Sequence, residues 1–596
     1  MSTWKSRTMR HPSTPGRVAT RTAWITTAAL GMSVLAASSA SAGKDVDDAP
    51  DPDGINGYRS VGYFQAHAPS KDGRDYQVAD IIESGAADHL THINYSFGNV
   101  TTDLVCDITD ELAPDDAVDP GQVDGDPLND YQRLVSAADS VDGVADAEGQ
   151  ALAGNFNQLL KLKEEYPDLK ILISLGGWTW SDNFSDASLT AESRERLVDS
   201  CLDIYIDGDL PVADGFGGEG VAAGVFDGID IDWEWPAANG EHPSPNPDVD
   251  KENFLSLLEE FRAQLDERGE ANDEDYLLTG FAPAGWSPRT NGGWVDPRAV
   301  ATFDYLNIQG YDYHGTWVTN RTGHQGNLHA YEWPTDPTAP EGEQTTANWG
   351  LAADGLLNAY KAAGYAPEQI NLGMAIYGQG WEGVENGDVP GAAATGAIGT
   401  KTYDELQNIG EEYYDEAAGA AWRYDGDQWW SLDTTTSVRA KSAWLAENDF
   451  GGAMWWDLSG DKDADLVTEV GNVFAGATPG PRVSETCAAP WYATTTYTRG
   501  DVVAVDGMEY EARWWVREFA PGGKAGHAWK QLGECGTSGT APVVEECAPV
   551  WDDEARYKRK NTVSFAGVNH EARWWNSNEV PGVEPWGPWE ASALCS

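Results

Sequence analysis

Basic residues are scarce in this chain of 596 residues, which has 38 lysines and arginines against 97 aspartates and glutamates. The formal net charge of −59 argues against binding to nucleic acids, because phosphate recognition needs a basic surface. The same charge disfavours anionic membranes. Acidic residues spread over the whole chain indicate adaptation to high salt, where screening shortens charge repulsion to about 3 Å. An enzyme for an acidic medium or a neutral substrate is the alternative that charge leaves open.

Cysteine is also scarce, at six residues, and no two of them have the C-x-x-C spacing of zinc or redox sites. Four of them lie beyond residue 480, whereas Cys106 and Cys201 stand apart. These two either pair with each other or stay reduced in the core, and the sequence leaves both possibilities open. Long apolar runs are missing after residue 42, so no later segment is predicted to cross a membrane.

Residues 1–42 have the pattern of a secretory signal peptide. Basic residues between positions 5 and 21 precede an apolar run over 23–37, which is followed by an A-x-A motif at 40–42. The apolar run is too short for a good membrane anchor. We therefore expect a secreted, extracellular protein whose cysteines can oxidise. Residues 43–57, rich in aspartate, proline and glycine, are interpreted as a linker.

The most informative stretch is residues 226–236, which read F-D-G-I-D-I-D-W-E-W-P. Asp230, Asp232 and Glu234 alternate with apolar residues, which predicts a β-strand with three carboxyls on one face. Stacked carboxyls repel one another, so a chain retains this pattern for chemistry more readily than for packing. Acids at alternate positions arise by chance about two or three times in so acidic a chain. The leading Asp-Gly, the β-branched spacers and the final Trp-Pro are not explained by acidity.

Eight strand-like runs alternate with helical ones between residues 58 and 475. The predicted strands cover 61–64, 92–100, 170–178, 226–235, 276–283, 303–313, 370–377 and 450–458. The predicted helices cover 155–166, 197–205, 254–265, 348–363 and 438–447, and 101–150 is predicted to be an acidic surface insertion. This alternation predicts an α/β fold, a (β/α)8 TIM barrel with insertions, whose active site lies at the carboxyl ends of the strands. Glu234 lies at such an end.

An internal repeat follows residue 486. The segment 487–535 recurs at a constant offset of 60 residues within 547–596, with cysteines, tryptophans and an E-A-R-W-W core in register. Units this small bury little core, and a disulfide within each unit would stabilise it by about 2–4 kcal/mol. Residues 476–486 and 536–546 are interpreted as linkers. We expect two small all-β modules.

The acidic strand resembles the signature of glycoside hydrolase family 18, the chitinase family, which reads Asp-x-x-Asp-x-Asp-x-Glu. Further motifs of that family are matched at 174–178 (S-L-G-G-W), 311–312 (Y-D), 377–378 (Y-G) and 451–456 (G-G-A-M-W-W). The resemblance covers residues 58–475 and is closest to bacterial-type members. It implies a catalytic TIM barrel with a small α/β insertion around residues 422–425.

Breaking a glycosidic bond requires a proton donor for the leaving oxygen. Neighbouring carboxylates raise the pKa of a carboxyl so that it can donate at neutral pH, and Glu234 beside Asp232 is the candidate. The resemblance implies a retaining, substrate-assisted mechanism in which the N-acetyl group of the sugar is the nucleophile. It also implies that Asp232 orients this acetamide and stabilises the oxazolinium ion, and that Asp230 shares a proton with Asp232.

The resemblance assigns the other catalytic and substrate-binding residues as well. Tyr311 would bind the acetamide oxygen, and Asp312 would hold the distorted sugar ring. Tyr63 and Ser174 would support Asp230 from behind. Flat aromatic rings stack on the apolar faces of sugars, which explains the need for tryptophan. The remaining predicted substrate-binding residues are Tyr377, the floor residue Trp456 and the platform residues Trp178 and Trp317.

The two C-terminal repeats resemble chitin- and cellulose-binding modules of carbohydrate-binding families 5 and 12. The likeness rests on the A-x-W-W core and on the tryptophans that precede and follow it. The implied binding residues are Trp491, Trp514 and Trp515 in the first repeat and Trp551, Trp574 and Trp575 in the second. Two such modules on flexible tethers would raise retention on an insoluble polymer.

The barrel departs from the family pattern in two places. Gln309 and Gly310 replace the Met-Thr that often precedes the Tyr-Asp pair, and Gln379 replaces an arginine that often follows Tyr-Gly. Both positions are expected near the sugar cleft, where they would affect subsite preference rather than the acid.

Together these observations predict a secreted, salt-adapted chitinase that hydrolyses internal β-1,4 bonds between N-acetylglucosamine units. Its expected partners are chitin polymer and N-acetylglucosamine oligomers, without nucleic acid or membrane, and it is expected to be a monomer that needs no metal or cofactor. An endo-β-N-acetylglucosaminidase is an alternative that the polymer-binding modules disfavour. A non-catalytic chitin-binding lectin is a second alternative, which the intact Glu234 disfavours.

Overall fold

The computed structural model describes residues 54–70, 74–108, 125–272, 274–331 and 351–477. In the C-terminal repeats it describes shorter segments, namely 502–505, 508–513, 529–534, 549, 556–565, 568–572, 576–577 and 589–594. The predicted signal peptide, the six tryptophans assigned to the two modules and the four cysteines of the repeats lie outside the described residues. These features stay predictions.

Strands and helices alternate along the larger described region. In chain order the strands are β1 (Arg59–Gln65), β2 (His92–Gly98), β3 (Lys170–Gly176), β4 (Leu210–Ala213), β5 (Phe216–Gly218), β6 (Gly228–Asp232), β7 (Leu277–Ala282), β8 (Tyr305–Ile308), β9 (Ile370–Ala375), β10 (Tyr377–Glu382), β11 (Gly396–Thr402), β12 (Glu411–Asp415), β13 (Ala420–Tyr424), β14 (Trp429–Leu432) and β15 (Gly452–Trp456). The α-helices are α1 (Val78–Glu83), α2 (Gly154–Glu165), α3 (Phe184–Ala187), α4 (Ala191–Tyr205), α5 (Asp250–Asn272), α6 (Trp286–Asn291), α7 (Pro297–Thr302), α8 (Ala353–Ala363), α9 (Tyr403–Leu406), α10 (Thr435–Glu447) and α11 (Asp465–Gly476). Shorter helical turns occupy Ala86–His89, Leu128–Gln132, Pro367–Gln369 and Leu458–Gly460. None of the helices within the described ranges is both long and apolar enough to cross a bilayer.

Eight of these strands close into a parallel barrel in the ring order β1-β15-β9-β8-β7-β6-β3-β2. They are the eight strands predicted from the sequence, so the (β/α)8 TIM barrel is confirmed. Seven of the eight are shorter than predicted, and the difference is largest in two of them. The strand predicted over 226–235 ends at Asp232, and the strand predicted over 303–313 ends at Ile308. The residues that follow are thereby released into the loops at the mouth of the barrel.

Alternation along β6 separates an apolar face from an acidic one. Ile229 and Ile231 are buried in the large apolar layer that contains residues of both the barrel and the surrounding helices. Asp230 points the other way, because it hydrogen-bonds Tyr63 of β1, a strand that is not adjacent to β6 in the ring. The period of two in the sequence therefore places the carboxyls inside the barrel.

Between β9 and β15 the chain inserts a five-stranded antiparallel sheet in the order β11-β10-β14-β13-β12. Its core is aromatic, with Trp381, Trp422 and Trp429 buried around Val384. This sheet, accompanied by the short helix α9, lies where the resemblance implies an α/β insertion.

The described strands of the C-terminal repeats are β16 (Val502–Val505), β17 (Met508–Ala512), β18 (Trp529–Glu534), β19 (Arg556–Tyr557), β20 (Thr562–Phe565), β21 (Val568–Ala572), β22 (Asn576–Ser577) and β23 (Trp589–Leu594). Each repeat contains a three-stranded antiparallel sheet, β16-β17-β18 in the first and β20-β21-β23 in the second. The two sheets occupy equivalent positions in the repeated sequence. The all-β fold of the complete modules stays a prediction.

Residues 54–57, at the end of the predicted linker 43–57, are joined to the barrel. Ile55 and Tyr58 form a β-bridge. The side-chain amide of Asn56 donates hydrogen bonds to the carbonyl groups of Phe474 and Ala477 at 3.2 and 2.6 Å. These bonds connect the chain before β1 with the end of α11.

Cys106 and Cys201 form a disulfide, which answers the question that the sequence leaves open. Cys106 follows β2, and Cys201 lies in α4. Both residues are buried. The bridge therefore ties the loop after β2 to a helix on the outside of the barrel.

Replacing Cys106 and Cys201 together by alanine is expected to lower the free energy of unfolding by about 4–5 kcal/mol, because the bridge joins residues 95 positions apart. Denaturant unfolding followed by tryptophan fluorescence measures this loss. The control is Ser200→Ala, which removes the acceptor of the Cys106 N–H bond at 2.9 Å and is expected to cost about 1 kcal/mol. Equal losses in the two variants would show that local contacts, not the covalent link, stabilise this region.

Candidate active site

The acidic residues singled out in the sequence meet at the carboxyl ends of β6 and β8. Asp232 is the last residue of β6, and Glu234 follows it by two positions. β8 ends at Ile308, and Tyr311 and Asp312 follow. Only β7 separates these two strands in the ring. The two groups of side chains therefore face the same part of the barrel mouth.

Asp230 is buried and is held by three hydroxyl groups. Its Oδ2 accepts hydrogen bonds from Tyr63 at 2.7 Å and Ser174 at 2.8 Å, and its Oδ1 accepts one from Thr279 at 2.6 Å. Burial raises the pKa of Asp230, and the hydrogen bonds from Thr279, Tyr63 and Ser174 lower it in part. Thr279 is not among the predicted site residues. Its signal in the sequence is a single hydroxyl within the otherwise apolar strand L-L-T-G-F-A.

Asp232 lies next to this anchored carboxyl and is only 3% exposed. Burial, followed by the charges of Glu234 and Asp230, raises its pKa well above the ordinary value. No donor among the described residues lies within hydrogen-bond distance of its buried Oδ1. A buried acceptor without a partner is costly, so this oxygen is suited to a donor that a ligand brings.

Glu234 is half-buried at the mouth of the barrel. Burial and the charge of Asp312 raise its pKa to about 8. The carboxyl is therefore mostly protonated at neutral pH and can donate a proton. The Glu234 N–H donates to Ser181 Oγ at 2.8 Å, and the Ser181 hydroxyl donates to the Gly177 carbonyl at 2.8 Å. Ser181, which is not among the predicted residues, thus fixes the backbone where it leaves β6.

Asp312 follows β8 with a φ of 58°, in the left-handed region that residues other than glycine seldom adopt. Gln379 Nε2 donates to Asp312 Oδ1 at 2.9 Å, and the Thr316 N–H donates to Gln379 Oε1 at 3.2 Å. Burial raises the pKa of Asp312, and hydrogen bonds from Tyr377 and Gln379 lower it in part. The glutamine that departs from the family pattern therefore connects Asp312 with the backbone beside Trp317.

Tyr311 is buried beside the acidic row. Its ring packs on Phe281, with centroids 6.2 Å apart, and meets the edge of Tyr377 at 6.1 Å. Burial and the charges of Glu234 and Asp232 raise the pKa of Tyr311 well above its ordinary value. Its hydroxyl therefore stays protonated and remains a hydrogen-bond donor.

The predicted aromatic residues fall into two groups. Trp456 is partly buried beneath the mouth, where it stacks on Phe97 at 5.5 Å and meets the edge of Tyr63 at 5.3 Å. Trp178 and Trp317 lie at the rim with 50% and 56% of their surface exposed. Phe97, which ends the apolar part of β2, is a further site residue that the sequence analysis does not name. One partly buried indole therefore lies beneath the mouth of the barrel, and two exposed indoles lie at its rim.

Hydroxyl and amide groups surround the carboxyls of the site. Asp230 accepts hydrogen bonds from the hydroxyl groups of Tyr63, Ser174 and Thr279. Asp312 accepts one from the side-chain amide of Gln379. In the part of the chain that the structure describes, no group of three or more histidine, cysteine, aspartate or glutamate side chains is arranged to hold a metal ion. The geometry and the raised pKa values suit proton transfer between a carboxyl and a bound molecule.

The closed, eight-stranded parallel barrel defines a TIM-barrel protein. Its acidic row lies at the carboxyl ends of the strands, where the active sites of TIM-barrel enzymes lie. Within that class, the chain belongs to the glycosyl hydrolases family 18. The sequence profile of this family matches residues 59–461, the whole of the barrel from β1 to β15.

Known proteins are similar over a comparable length of the chain. Chitinase C of Streptomyces lividans is 36% identical over 408 residues, covering 65% of this chain and 55% of that protein. Chitinase 63 of Streptomyces plicatus is 34% identical over 414 residues, covering 67% of this chain and 58% of that protein. The chain thus spans little more than half the length of these curated relatives. The catalytic domain of psychrophilic chitinase B from Arthrobacter TAD20 is similar in structure, with a TM-score of 0.66 and 43% identity, covering 72% of this chain and 98% of that one.

Proposed function

We propose that this protein is a chitinase that hydrolyses internal β-1,4 bonds between N-acetylglucosamine units of chitin. The observation that carries the proposal is the position of Glu234, two residues after β6 at the mouth of a family 18 barrel, where burial and the charge of Asp312 raise its pKa to about 8. The chitinase names of the similar proteins support the substrate. The exposed tryptophans at the rim support a polymeric sugar ligand, because aromatic faces stack on sugar rings.

In the first step Glu234 donates its proton to the glycosidic oxygen, and the acetamide oxygen of the same sugar attacks the anomeric carbon. The bond to the leaving chain breaks, and a cyclic oxazolinium ion remains. Asp232 Oδ1, which has no partner among the described residues, accepts the acetamide N–H. The Tyr311 hydroxyl, kept protonated by its raised pKa, donates to the acetamide oxygen.

In the second step the Glu234 carboxylate takes a proton from water, which adds to the anomeric carbon and opens the oxazolinium ring. Two displacements at one carbon leave its configuration unchanged. Three hydroxyl donors favour the ionised form of Asp230, so the proton that the aspartates share rests on Asp232 in the free enzyme. It moves toward Asp230 as the positive charge develops, which leaves Asp232 ionised beside the cation.

The proposal extends to the setting in which the enzyme works. The predicted signal peptide at 1–42 and the Cys106–Cys201 disulfide support secretion into an oxidising medium. The net charge of −59 supports work at high salt. The repeated A-x-W-W cores support chitin binding by the two C-terminal modules, whose tryptophans lie outside the described residues. We propose a monomer that acts on chitin polymer and on its oligomers.

The experiment that tests the proposal is cleavage of chitin hexasaccharide by the full chain, with NMR detection of the first product. We expect shorter oligosaccharides whose new reducing end forms first in the β configuration. Cellohexaose, which lacks acetamido groups, is the matched control and is expected to stay intact. A product that forms first as the α anomer would contradict the substrate-assisted mechanism. Chitin binding without any release of oligosaccharide would favour the lectin alternative.

The contact between Gln379 and Asp312 leads to a separate prediction. Gln379→Leu is expected to lower kcat/KM on chitin hexasaccharide by about tenfold to a hundredfold, since a hydrogen bond to a charged group contributes about 1.5–3 kcal/mol. Steady-state kinetics measures this loss. The control is Gln264→Leu on the outer helix α5, where the side chain is 9% exposed against 4% for Gln379. Equal losses in both variants would show a general packing effect and contradict a positioning role of Gln379.

A further inference from the structure

Three tryptophans of the described residues are exposed to solvent. Trp178 is 50% exposed, Trp317 is 56% exposed and Trp286, which no sequence motif singles out, is 66% exposed. The other described tryptophans of the barrel region are buried or partly buried. An exposed indole forgoes the gain of burying a large apolar surface, so several of them near one site indicate a surface for a ligand.

All three exposed tryptophans lie at the mouth of the barrel. Trp178 follows the end of β3, Trp286 begins α6 after a short turn that follows β7, and Trp317 lies in the loop after β8. In the ring these strands and β6, which carries Glu234, are consecutive in the order β3, β6, β7, β8. Trp178 therefore lies on one side of Glu234, and Trp286 lies with Trp317 on the other.

The backbone that carries Trp286 is fixed to its neighbours. The Tyr360 hydroxyl donates to the Pro283 carbonyl at 2.8 Å, and the Ala284 N–H donates to Gln309 Oε1 at 3.4 Å. At the far end of α6, Gly292 lies so close to the loop after β6 that an added Cβ would be 2.8 Å from the Pro236 carbonyl oxygen.

Gln309, a departure from the family pattern, thus links the end of β8 to the segment of Trp286. A ring on a fixed segment loses little freedom when a ligand binds, which favours stacking.

We propose that Trp286 forms an additional sugar-binding subsite for an N-acetylglucosamine unit, on the side of Glu234 that also holds Trp317. The inference rests on the proposed chitinase function and extends it to the length of chain that the cleft engages. The flat, uncharged indole suits the apolar face of a neutral sugar. Binding of this kind requires no basic side chain, and basic residues are scarce in this protein. Because the subsite is separated from the acid, it contributes binding equally to the ground state and the transition state.

The test compares Trp286→Ala with the parent on chitin hexasaccharide and on chitin trisaccharide. For the hexasaccharide we expect KM to rise about five- to tenfold with kcat changed by less than about twofold, which is the pattern of lost uniform binding. For the trisaccharide, which is too short to reach every subsite, we expect both constants to stay within about twofold of the parent. Trp286→Phe keeps a ring and is expected to recover most of the hexasaccharide affinity. Val212→Ala on β4, which shortens a side chain that is 76% exposed, is the control and is expected to match the parent.

The outcomes separate this inference from the function on which it rests. A parent that cleaves both substrates, with a Trp286→Ala variant whose hexasaccharide KM is unchanged, would overturn the subsite and leave the chitinase proposal standing. Equal losses on both substrates would also overturn it, because they would assign Trp286 to the fold or to the reacting sugar. A parent that cleaves neither substrate would overturn the proposed function and the subsite together.

Discussion

Glu234→Gln is expected to lower kcat on chitin hexasaccharide about a thousandfold, within the range of about 10²–10⁴ that general acid catalysis contributes. The amide cannot give a proton to the leaving oxygen. Glutamine has nearly the same size, and the bond from the backbone N–H of residue 234 to Ser181 at 2.8 Å is retained. Steady-state kinetics measures the loss of turnover, and a binding isotherm with the same hexasaccharide is expected to show affinity within about threefold of the parent.

The pH dependence of the parent provides a second measurement on the same carboxyl. Burial and the charge of Asp312 raise the pKa of Glu234 to about 8, and its protonated form is the active acid. The value of kcat/KM is therefore expected to be retained below this pKa and to fall as the pH rises through it. This alkaline decline is expected to disappear in Glu234→Gln and to move to lower pH in Asp312→Asn, which lacks the charge that raises the pKa. A decline that persists near pH 8 in Glu234→Gln would assign it to another group.

Asp232→Asn is expected to lower kcat on chitin hexasaccharide about a hundredfold, the loss that follows removal of one electrostatic contact to a charged intermediate. Asparagine keeps the shape of the side chain and can still accept the acetamide N–H. It lacks the negative charge that balances the oxazolinium ion. The comparison of kcat with KM distinguishes the two roles, because lost charge stabilisation lowers kcat while the ground-state contact keeps KM within about threefold.

Asp227→Asn is the matched control, since Asp227 belongs to the same motif and lies at the opposite end of β6. Its Oδ2 accepts hydrogen bonds from the Ile171 N–H at 2.8 Å and from Lys163 at 2.9 Å, far from the mouth of the barrel. We expect this variant to lower the free energy of unfolding by about 1 kcal/mol and to keep kcat within about twofold. If Asp227→Asn and Asp232→Asn lost turnover equally, the motif would act through the stability of β6 and the assigned role of Asp232 would be wrong.

The eight barrel strands could be predicted in their order along the chain because each strand has its own local signal. The run at 170–176 is mostly apolar and is followed by Gly177, and the strand at 228–232 shows its two faces by alternation. Where the strands end could not be predicted in the same way. β6 ends where Ser181, 53 positions earlier in the chain, takes the N–H of Glu234. A hydrogen bond between such distant residues leaves no trace in the spacing around either of them.

The residues of the candidate site show the same difference between local patterns and contacts between distant residues. Its carboxyls are predictable because they occupy alternate positions of one strand, whereas Thr279 and Gln379 are recognised only by the aspartates that they contact. Thr279 is a single polar residue in an apolar run, which is a weak signal. Gln379 reads as a departure from the family pattern, and only the folded chain shows that its amide holds Asp312.

By itself the sequence determined the eight strands in their order, the acidic face of one of them, and the repeat of 60 residues near the C-terminus. Each of these is a periodic or repeated pattern that neighbouring residues carry. Closure of the ring decided the rest, because it brings together residues that are hundreds of positions apart and sets how deeply each is buried. The pKa of Glu234, the Cys106–Cys201 bridge and the place of Trp286 beside the acidic strand all depend on that closure.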